Sequence, residues 1–191
     1  GNIHFQEQVL QEQLFILEGR YCLQDDLTIL GKGNTALLEI QFNLSDKDIQ
    51  YQDKSRATQV ASGRSGSISF LPAEENEAKI FFQKDTTYHT FDIHLPLSLL
   101  DHYAGESKVM DSFLSSIHKD ISSKLSPNTI SITPTIYNTI QDIKTCTYEG
   151  LTKRIYLESK VYELIALLYE NVGNQRISPA LKPADHDRIH F

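Results

Sequence analysis

The stretch GLTKRIYLESKVYELIALLYENVG, residues 150–173, predicts a long helix with a wide apolar surface. At about 100° per residue its apolar side chains fall on two adjacent faces of one helix. The first face comprises Leu157, Val161, Leu164, Leu168 and Val172, the second comprises Ile155, Tyr162, Ala166 and Tyr169, and Leu151 and Ile165 lie between them. A helix that covers a single layer needs a narrower apolar stripe. The stretch therefore predicts a helix with two partners, its own domain and a second subunit.

The second face of this helix is the predicted homodimer contact, because tyrosines on an apolar surface are typical of protein interfaces. The alternative is a helix sandwiched within one domain. Arg154 and Glu158 are four residues apart within the apolar arc, which allows them to pair along the helix. If buried, the pair would fix the register of the contact; a half-exposed surface pair is the alternative. The predicted dimer interface comprises Arg154, Ile155, Glu158, Tyr162, Ile165 and Tyr169.

Three further helices are predicted between Pro96 and this long helix. Residues 96–103, PLSLLDHY, indicate a short one. Ser107 is a suitable cap for the next, whose apolar stripe is Val109, Phe113, Ile117 and Ile121. Thr133 followed by Pro134 predicts the start of a third, whose inward residues are Ile136, Ile140 and Ile143. Gly173 is a residue at which the long helix can end.

The first half of the chain has the period of β-strands. Residues 35–44, TALLEIQFNL, and 89–95, HTFDIHL, alternate between apolar and polar side chains. Shorter strands are predicted at 14–23, 67–70 and 79–83, separated by turn sequences such as Gly31-Lys32-Gly33-Asn34. Many short strands followed by helices predict an α+β fold, with an antiparallel barrel or sandwich preceding a helical layer.

Charge and composition exclude several classes of protein. The net charge is −7, the pI is near 5.4, and the sequence has no cluster of Lys and Arg. This composition does not predict the basic surface with which proteins bind nucleic acid. No apolar run is long enough to span a membrane. Cys22 and Cys146 are far apart and give neither a disulfide framework nor a metal knuckle. A reducing cytoplasm is the predicted location.

The pattern of polar residues predicts no catalytic residue, no metal site and no cofactor. His89 and His94 are five apart, so on one strand they face opposite ways and cannot ligate one metal ion. His89 shares the face of Phe91 and Ile93 and is expected to point inward, whereas His94 is expected to face outward. His89 is either a satisfied core histidine or a ligand contact. The candidate ligand-binding residues, suited to an anionic ligand, are Arg20, Tyr21, Lys79 and His89.

The helical half resembles the sensor half of AraC-type transcriptional regulators, and within them the subgroup resembling the pyochelin-receptor regulator. The resemblance covers roughly residues 130–191 and rests on IQDIKTCTYEGLTKRIYLESKVYELIALL, followed by LKPADHDRIHF. Its motif comprises Ile143, Cys146, Tyr148, Gly150, Leu157, Glu158, Lys160, Glu163 and Leu164. The resemblance implies a cupin-like barrel that binds a small-molecule effector (a siderophore or another metabolite), helices that form a homodimer, and a domain that binds DNA.

These observations divide the chain into three parts. Residues 1–96 are the predicted cupin-like effector-binding part and residues 97–175 the helical dimerisation part. Residues 176–191 are a linker and, in the element Pro183 to Ile189, the start of a missing helix-turn-helix domain; a frayed terminus is the alternative. The resemblance implies that Cys146 is a small buried apolar residue. It also implies that Gly150 allows close packing of another backbone at the start of the helix. The alternative function is a stand-alone cupin-like metalloenzyme or small-molecule carrier.

Overall fold

The computed structural model describes residues 1–11, 14–54 and 56–177, and it shows the predicted α+β order. The first strands are β1 (Asn2–Gln11), β2 (Leu14–Cys22), β3 (Leu27–Lys32), β4 (Leu37–Asn43), β5 (Ile49–Asp53), β6 (Thr58–Ala61), β7 (Ser65–Leu71), β8 (Glu77–Phe82) and β9 (Thr87–Leu95). A 3₁₀-helix (Leu97–Tyr103), α1 (Lys108–His118), β10 (Ser123–Lys124), β11 (Ile130–Ser131), α2 (Pro134–Lys144) and α3 (Gly150–Ile177) follow. The predicted fold class is therefore confirmed.

The strands form two antiparallel sheets that face each other. The large sheet has the order β1-β2-β9-β4-β7-β10, with β11 also paired to β7, and the small sheet has the order β3-β8-β5-β6. Tyr21 of the large sheet stacks on Phe82 of the small sheet with ring centroids 4.4 Å apart. The ring of Tyr88, also in the large sheet, packs edge-on against Phe82 with ring centroids 5.1 Å apart. These rings form a small apolar core between the sheets.

The two faces of the large sheet differ in chemistry because the strand register keeps like residues together. Ile40 of β4 lies opposite Ile93 of β9 and Ile68 of β7, and all three are at most 1% exposed. This apolar face packs against the helices in one continuous core. The adjacent residue Gln41 lies opposite Asp92 of β9, and these polar side chains face the small sheet.

The helices cover the apolar face of the large sheet, and their predicted starts are confirmed. The Ser107 side chain accepts a hydrogen bond from the main-chain N–H of Met110 at 3.2 Å and caps α1. Thr133 caps α2 in the same way, with Pro134 as its first residue. The inward residues Ile136, Ile140 and Ile143 of α2 and Leu157, Val161, Leu164, Leu168 and Val172 of α3 are all buried.

Several predicted boundaries are wrong. The helix α3 continues through Gly173 to Ile177, because one glycine within a long helix costs only about 1 kcal/mol. Gly31 and Lys32 belong to β3 rather than to a turn. Ile121 lies beyond the end of α1 and is 53% exposed. The element Pro183 to Ile189 lies outside the described residues. Within those residues no helix combines the length and the apolar character needed to cross a membrane.

Candidate functional site

A cavity of about 270 Å³ lies between the two sheets. Its polar lining from the large sheet includes Glu39, Gln41, Asn43, Ser67, Ser69, Thr90 and Asp92, and its apolar lining includes Tyr21, Ile49, Ile80 and Phe82. The volume is close to the lower end of the range for small-molecule sites, about 300 Å³. A few polar groups opposite an aromatic and aliphatic wall are the usual composition of such a site.

Two carboxyl groups dominate the polar wall of this cavity. Glu39 of β4 lies opposite His94 of β9, and Gln41 lies opposite Asp92, so Glu39 and Asp92 are diagonal neighbours on one face of the sheet. Burial raises the pKa of Glu39 to about 7. Burial and the neighbouring charge of Glu39 raise the pKa of Asp92 well above its usual range. The Asp92 Oδ1 atom is buried and has no hydrogen-bond partner among the residues that the structure describes.

The remaining titratable groups of the cavity do not neutralise this pair. His94 Nε2 lies 3.8 Å from Glu39 Oε2, but burial lowers the pKa of His94 and favours its neutral form. Lys124 donates a hydrogen bond to the Tyr51 hydroxyl at 3.3 Å. Burial raises the pKa of Tyr21 to about 12, so this hydroxyl stays protonated. The wall formed by Glu39 and Asp92 is therefore acidic and lacks a cationic partner within the described chain.

The structure separates the four predicted ligand-binding residues. Tyr21 lines the cavity. Arg20 and His89 are on the opposite face of the large sheet, towards the helices. His89 shares the face of Phe91 and Ile93, as expected, but that face packs against the helices and does not line the cavity. Lys79 is exposed, on the outer face of the small sheet. His94, expected to face outward, lies beside the buried carboxyl of Glu39.

His89 belongs to a polar cluster between the large sheet and α2. Glu18 Oε1 accepts hydrogen bonds from His89 Nε2 at 2.7 Å and Arg20 Nε at 3.1 Å, and lies 3.0 Å from Lys144 Nζ. Burial alone would raise the pKa of Glu18, but the hydrogen bonds from Lys144, His89 and Arg20 lower it. Burial lowers the pKa of His89. The cluster joins β2, β9 and α2.

The second face of α3 is partly exposed. Leu151 is 70% exposed, Ile155 58% and Tyr162 40%, whereas Ile165 is 5% exposed. The Tyr169 hydroxyl forms a hydrogen bond with the Ser107 side chain at the start of α1. Arg154 Nε lies 2.8 Å from Glu158 Oε1, with the arginine side chain half exposed and the glutamate 27% exposed. The described structure therefore leaves three large apolar side chains of this face in solvent.

The polar motif residues of the helical half hold α2 against α3. Lys160 Nζ of α3 lies 2.9 Å from Asp142 Oδ2 of α2 and 2.9 Å from Glu163 Oε2. The Thr139 hydroxyl of α2 donates to Glu163 Oε1 at 3.1 Å. Cys146 is half-buried against the same core. Lys160 and Glu163 therefore have a structural role that sequence reasoning did not assign.

Gly150 is required for its backbone conformation and not for close packing. Its φ is +54°, in the left-handed region that favours glycine. A Cβ atom at this position would meet no atom of the described residues within 4 Å, so the predicted close approach of another backbone is wrong. Among the described residues, no group of three His, Cys, Asp or Glu side chains is placed to hold a metal ion.

The sequence profile of the family described as the regulatory protein PchR N-terminal domain matches residues 1–182. This chain belongs to that family. The resemblance to the sensor region of AraC-type regulators, inferred from the helical half, is thereby confirmed and extends over the strands. A comparison with curated protein sequences gave no match.

Two solved structures share the fold of this PchR-type N-terminal domain. The AraC-like transcriptional activator CuxR aligns with a TM-score of 0.53 and 11% identity over 88% of this chain and 55% of CuxR. Apo ToxT K231A from Vibrio cholerae aligns with a TM-score of 0.52 and 12% identity over 89% of this chain and 61% of ToxT. The chain thus spans little more than half the length of these two proteins. At such low identity the likeness shows a common fold.

Proposed function

We propose that this PchR-type domain senses a small-molecule effector in the cavity between its sheets and transmits the change through its helices to a homodimer. The whole AraC-type regulator would then bind DNA through a further domain and act in the cytoplasm. The observation that carries the proposal is the cavity itself, which combines a small-molecule volume with a buried carboxyl oxygen of Asp92 that has no hydrogen-bond partner within the described part of the chain. Membership of a regulatory family favours a sensor over a stand-alone cupin-like metalloenzyme or carrier.

Strand β9 supplies a direct route from the cavity to the helical layer. Thr90 and Asp92 line the cavity, while the alternate residues His89 and Phe91 face the helices. His89 belongs to the polar cluster that includes Lys144 of α2. An effector that binds more tightly to one arrangement of β9 would shift the population of arrangements in the helical layer.

The homodimer is supported by the spacing of residues on α3. Leu151, Ile155, Glu158, Tyr162, Ile165 and Tyr169 are separated by alternating steps of four and three residues, which is the repeat of a coiled-coil seam. Leu151, Ile155 and Tyr162 of this stripe are exposed, whereas the neighbouring face of α3 is buried in the domain. A second copy of the chain presents a stripe of the same spacing and is therefore the proposed partner. The pair between Glu158 of the stripe and the adjacent Arg154 would fix its register.

The effector class that the resemblance implies is a siderophore or another metabolite, and the cavity admits only a compact molecule. The test is a two-dimensional NMR titration of the labelled chain with a metabolite panel, repeated with Ser69→Phe. Ser69 lines the cavity, so its replacement by a bulky ring should abolish binding and, in the whole regulator, the response of a reporter gene. Ser98→Phe is the matched control, because Ser98 is exposed on the 3₁₀-helix.

The proposal predicts chemical-shift changes confined to residues around the cavity and lost in Ser69→Phe. A thermal melt would establish that both variants are folded. Binding and reporter response that Ser69→Phe leaves unchanged would overturn the assignment of the cavity as the effector site.

A further inference from the structure

We infer that the effector is a small organic cation, an amine or amidine with a compact apolar body, whose charged group lies against Glu39 and Asp92. This inference rests on the proposed function, since it assigns the chemistry of the same cavity. It goes against the anionic ligand that Arg20, Lys79 and His89 suggested, because none of those three side chains lines the cavity.

The charges around the cavity favour a cation. Four carboxyl side chains contribute to its lining, namely those of Glu39, Asp53, Glu77 and Asp92, and Lys124 is the basic side chain among the described lining residues. Glu77 is paired with Lys32, at 3.3 Å, and Lys124 is engaged by the Tyr51 hydroxyl. Glu39 and Asp92 have no lysine or arginine partner within the described residues. A ligand is therefore the available source of positive charge for this pair.

The Oδ1 atom of Asp92, which has no hydrogen-bond partner within the described residues, favours a ligand with a hydrogen-bond donor. A buried polar atom without a hydrogen-bond partner lowers stability, and a ligand N–H that reaches it removes that cost. An anionic ligand would supply no donor and would disfavour ionisation of the two carboxyls further. A neutral hydroxyl would supply a donor but leave both pKa values raised. A cationic nitrogen supplies a donor and also favours the ionised form of both carboxyls, and hydrogen bonds between charged partners are the strongest class.

The opposite wall of the cavity fits the apolar body of such a molecule. Phe82, Ile80 and Ile49 of the small sheet form this wall, and Tyr21 of the large sheet stacks on Phe82 with ring centroids 4.4 Å apart. Aromatic faces also attract cations within about 6 Å of the ring centroid. The cavity therefore combines two carboxyl groups with an aromatic and aliphatic surface, which suits a compact amphipathic amine.

The test compares three probes of the same size and shape, benzylamine, benzyl alcohol and benzoate, by two-dimensional NMR titration of the chain. Benzylamine should shift the amide signals of β4 and β9, with at least tenfold higher affinity than the other two. Glu39→Gln combined with Asp92→Asn should weaken benzylamine binding at least tenfold. Asp25→Asn, which changes an exposed carboxyl outside the cavity, should leave it unchanged. The single variant Glu39→Gln provides the same comparison if the double variant does not fold.

Two results would overturn the inference. Benzyl alcohol or benzoate binding in the cavity as tightly as benzylamine would refute the cationic class while leaving the sensing cavity intact. Binding of none of the three probes up to their solubility limits would also refute it. The proposed function fails separately, through an unaltered reporter response of the Ser69→Phe regulator.

Discussion

Glu18 Oε1 of β2 lies 3.0 Å from Lys144 Nζ at the end of α2, and each side chain is only 13% exposed. His89 Nε2 of β9 donates a hydrogen bond to the same carboxylate oxygen at 2.7 Å. The ion pair thus holds the helical layer to two strands of the large sheet. This ion pair adds a polar contact to the apolar packing between the large sheet and α2.

Lys144→Met should destabilise the protein by about 1–3 kcal/mol, because it leaves a largely buried carboxylate with fewer partners. Urea unfolding at neutral pH measures the loss. The exposed Lys84→Met is the control and should change stability by less than about 0.5 kcal/mol. Adding Glu18→Gln to Lys144→Met should recover part of the loss, since no buried charge remains. Equal stabilities of the two lysine variants would contradict the role of the pair.

Asn43 should be the most sensitive amide in the β part, because it is 2% exposed and all its polar atoms are used. Its Nδ2 donates to three main-chain carbonyls, including those of Lys47 at 2.8 Å and Ala61 at 3.0 Å, and its Oδ1 accepts from Ser45 N–H at 3.0 Å. Asn43→Ala should cost about 2–3 kcal/mol.

Asn43→Asp should cost more than Asn43→Ala at neutral pH, since it aims a negative charge at carbonyl oxygens. Thermal unfolding of both variants tests this order, with the exposed Asn34→Asp as control. An Asn43→Asp protein as stable as wild type would show that these hydrogen bonds contribute little.

The raised pKa of Glu39 makes its contribution to stability depend on pH. Because the folded-state pKa is about 7 and the ordinary value is 4.5, folding is disfavoured by ionisation as pH rises through this interval. Glu39→Gln should therefore be more stable than wild type by up to about 3 kcal/mol at about pH 8.5, and by much less at about pH 5. Urea unfolding at both pH values gives the difference.

Both proteins in this comparison retain His94 and Asp92, which also titrate next to position 39. The exposed Glu106→Gln is the control and should show no such pH-dependent gain. A gain for Glu39→Gln that is the same at both pH values would indicate that Glu39 stays ionised throughout.

Gly150→Ala should lower stability by about 1–2 kcal/mol, because an L-residue is strained at a φ of +54°. Gly150→Asn should cost less, since asparagine tolerates the left-handed region. Packing plays no part, as a Cβ here meets no atom within 4 Å. Equilibrium unfolding of the two variants gives the order; a larger loss for asparagine than for alanine would point to steric crowding instead.

Light scattering of the wild-type chain should give about twice the 21.7 kDa mass of one copy. Tyr162→Glu and Ile155→Glu should each reduce the mass to that of one copy without unfolding the protein, because both side chains are exposed on α3. The control Thr152→Glu is exposed on the same helix but outside the stripe. A monomer at every concentration would refute the proposed homodimer of this chain.

Periodicity located the main elements but did not show what each face of the large sheet meets. The alternation of residues 35–44 and 89–95 is the same whether the polar side faces solvent or an internal cavity. Glu39 and Asp92 therefore read as surface residues, although the second sheet covers them. Only the pairing of distant strands reveals that both faces are enclosed.

The missed strands have weak local signals. β5 and β6 read IQYQD and TQVA, too polar and too short to distinguish from loops. The sequence of β1 alternates only weakly between polar and apolar residues, and it was not predicted as a strand. Its apolar residues Phe5 and Val9 are more than half exposed. In contrast, α3 is long, and its buried face was predicted correctly because many turns of one period reinforce one another.

The alternation along β9 has a consequence for how such sensors diversify. Thr90, Asp92 and His94 belong to the cavity side, whereas Phe91 and Ile93 belong to the core beneath the helices. Under the proposed function, substitutions that change effector choice and substitutions that disturb helix packing therefore fall on alternating positions of a single strand. Laboratory evolution for a new effector can randomise Thr90 and Asp92 while Phe91 and Ile93 keep the helical layer intact.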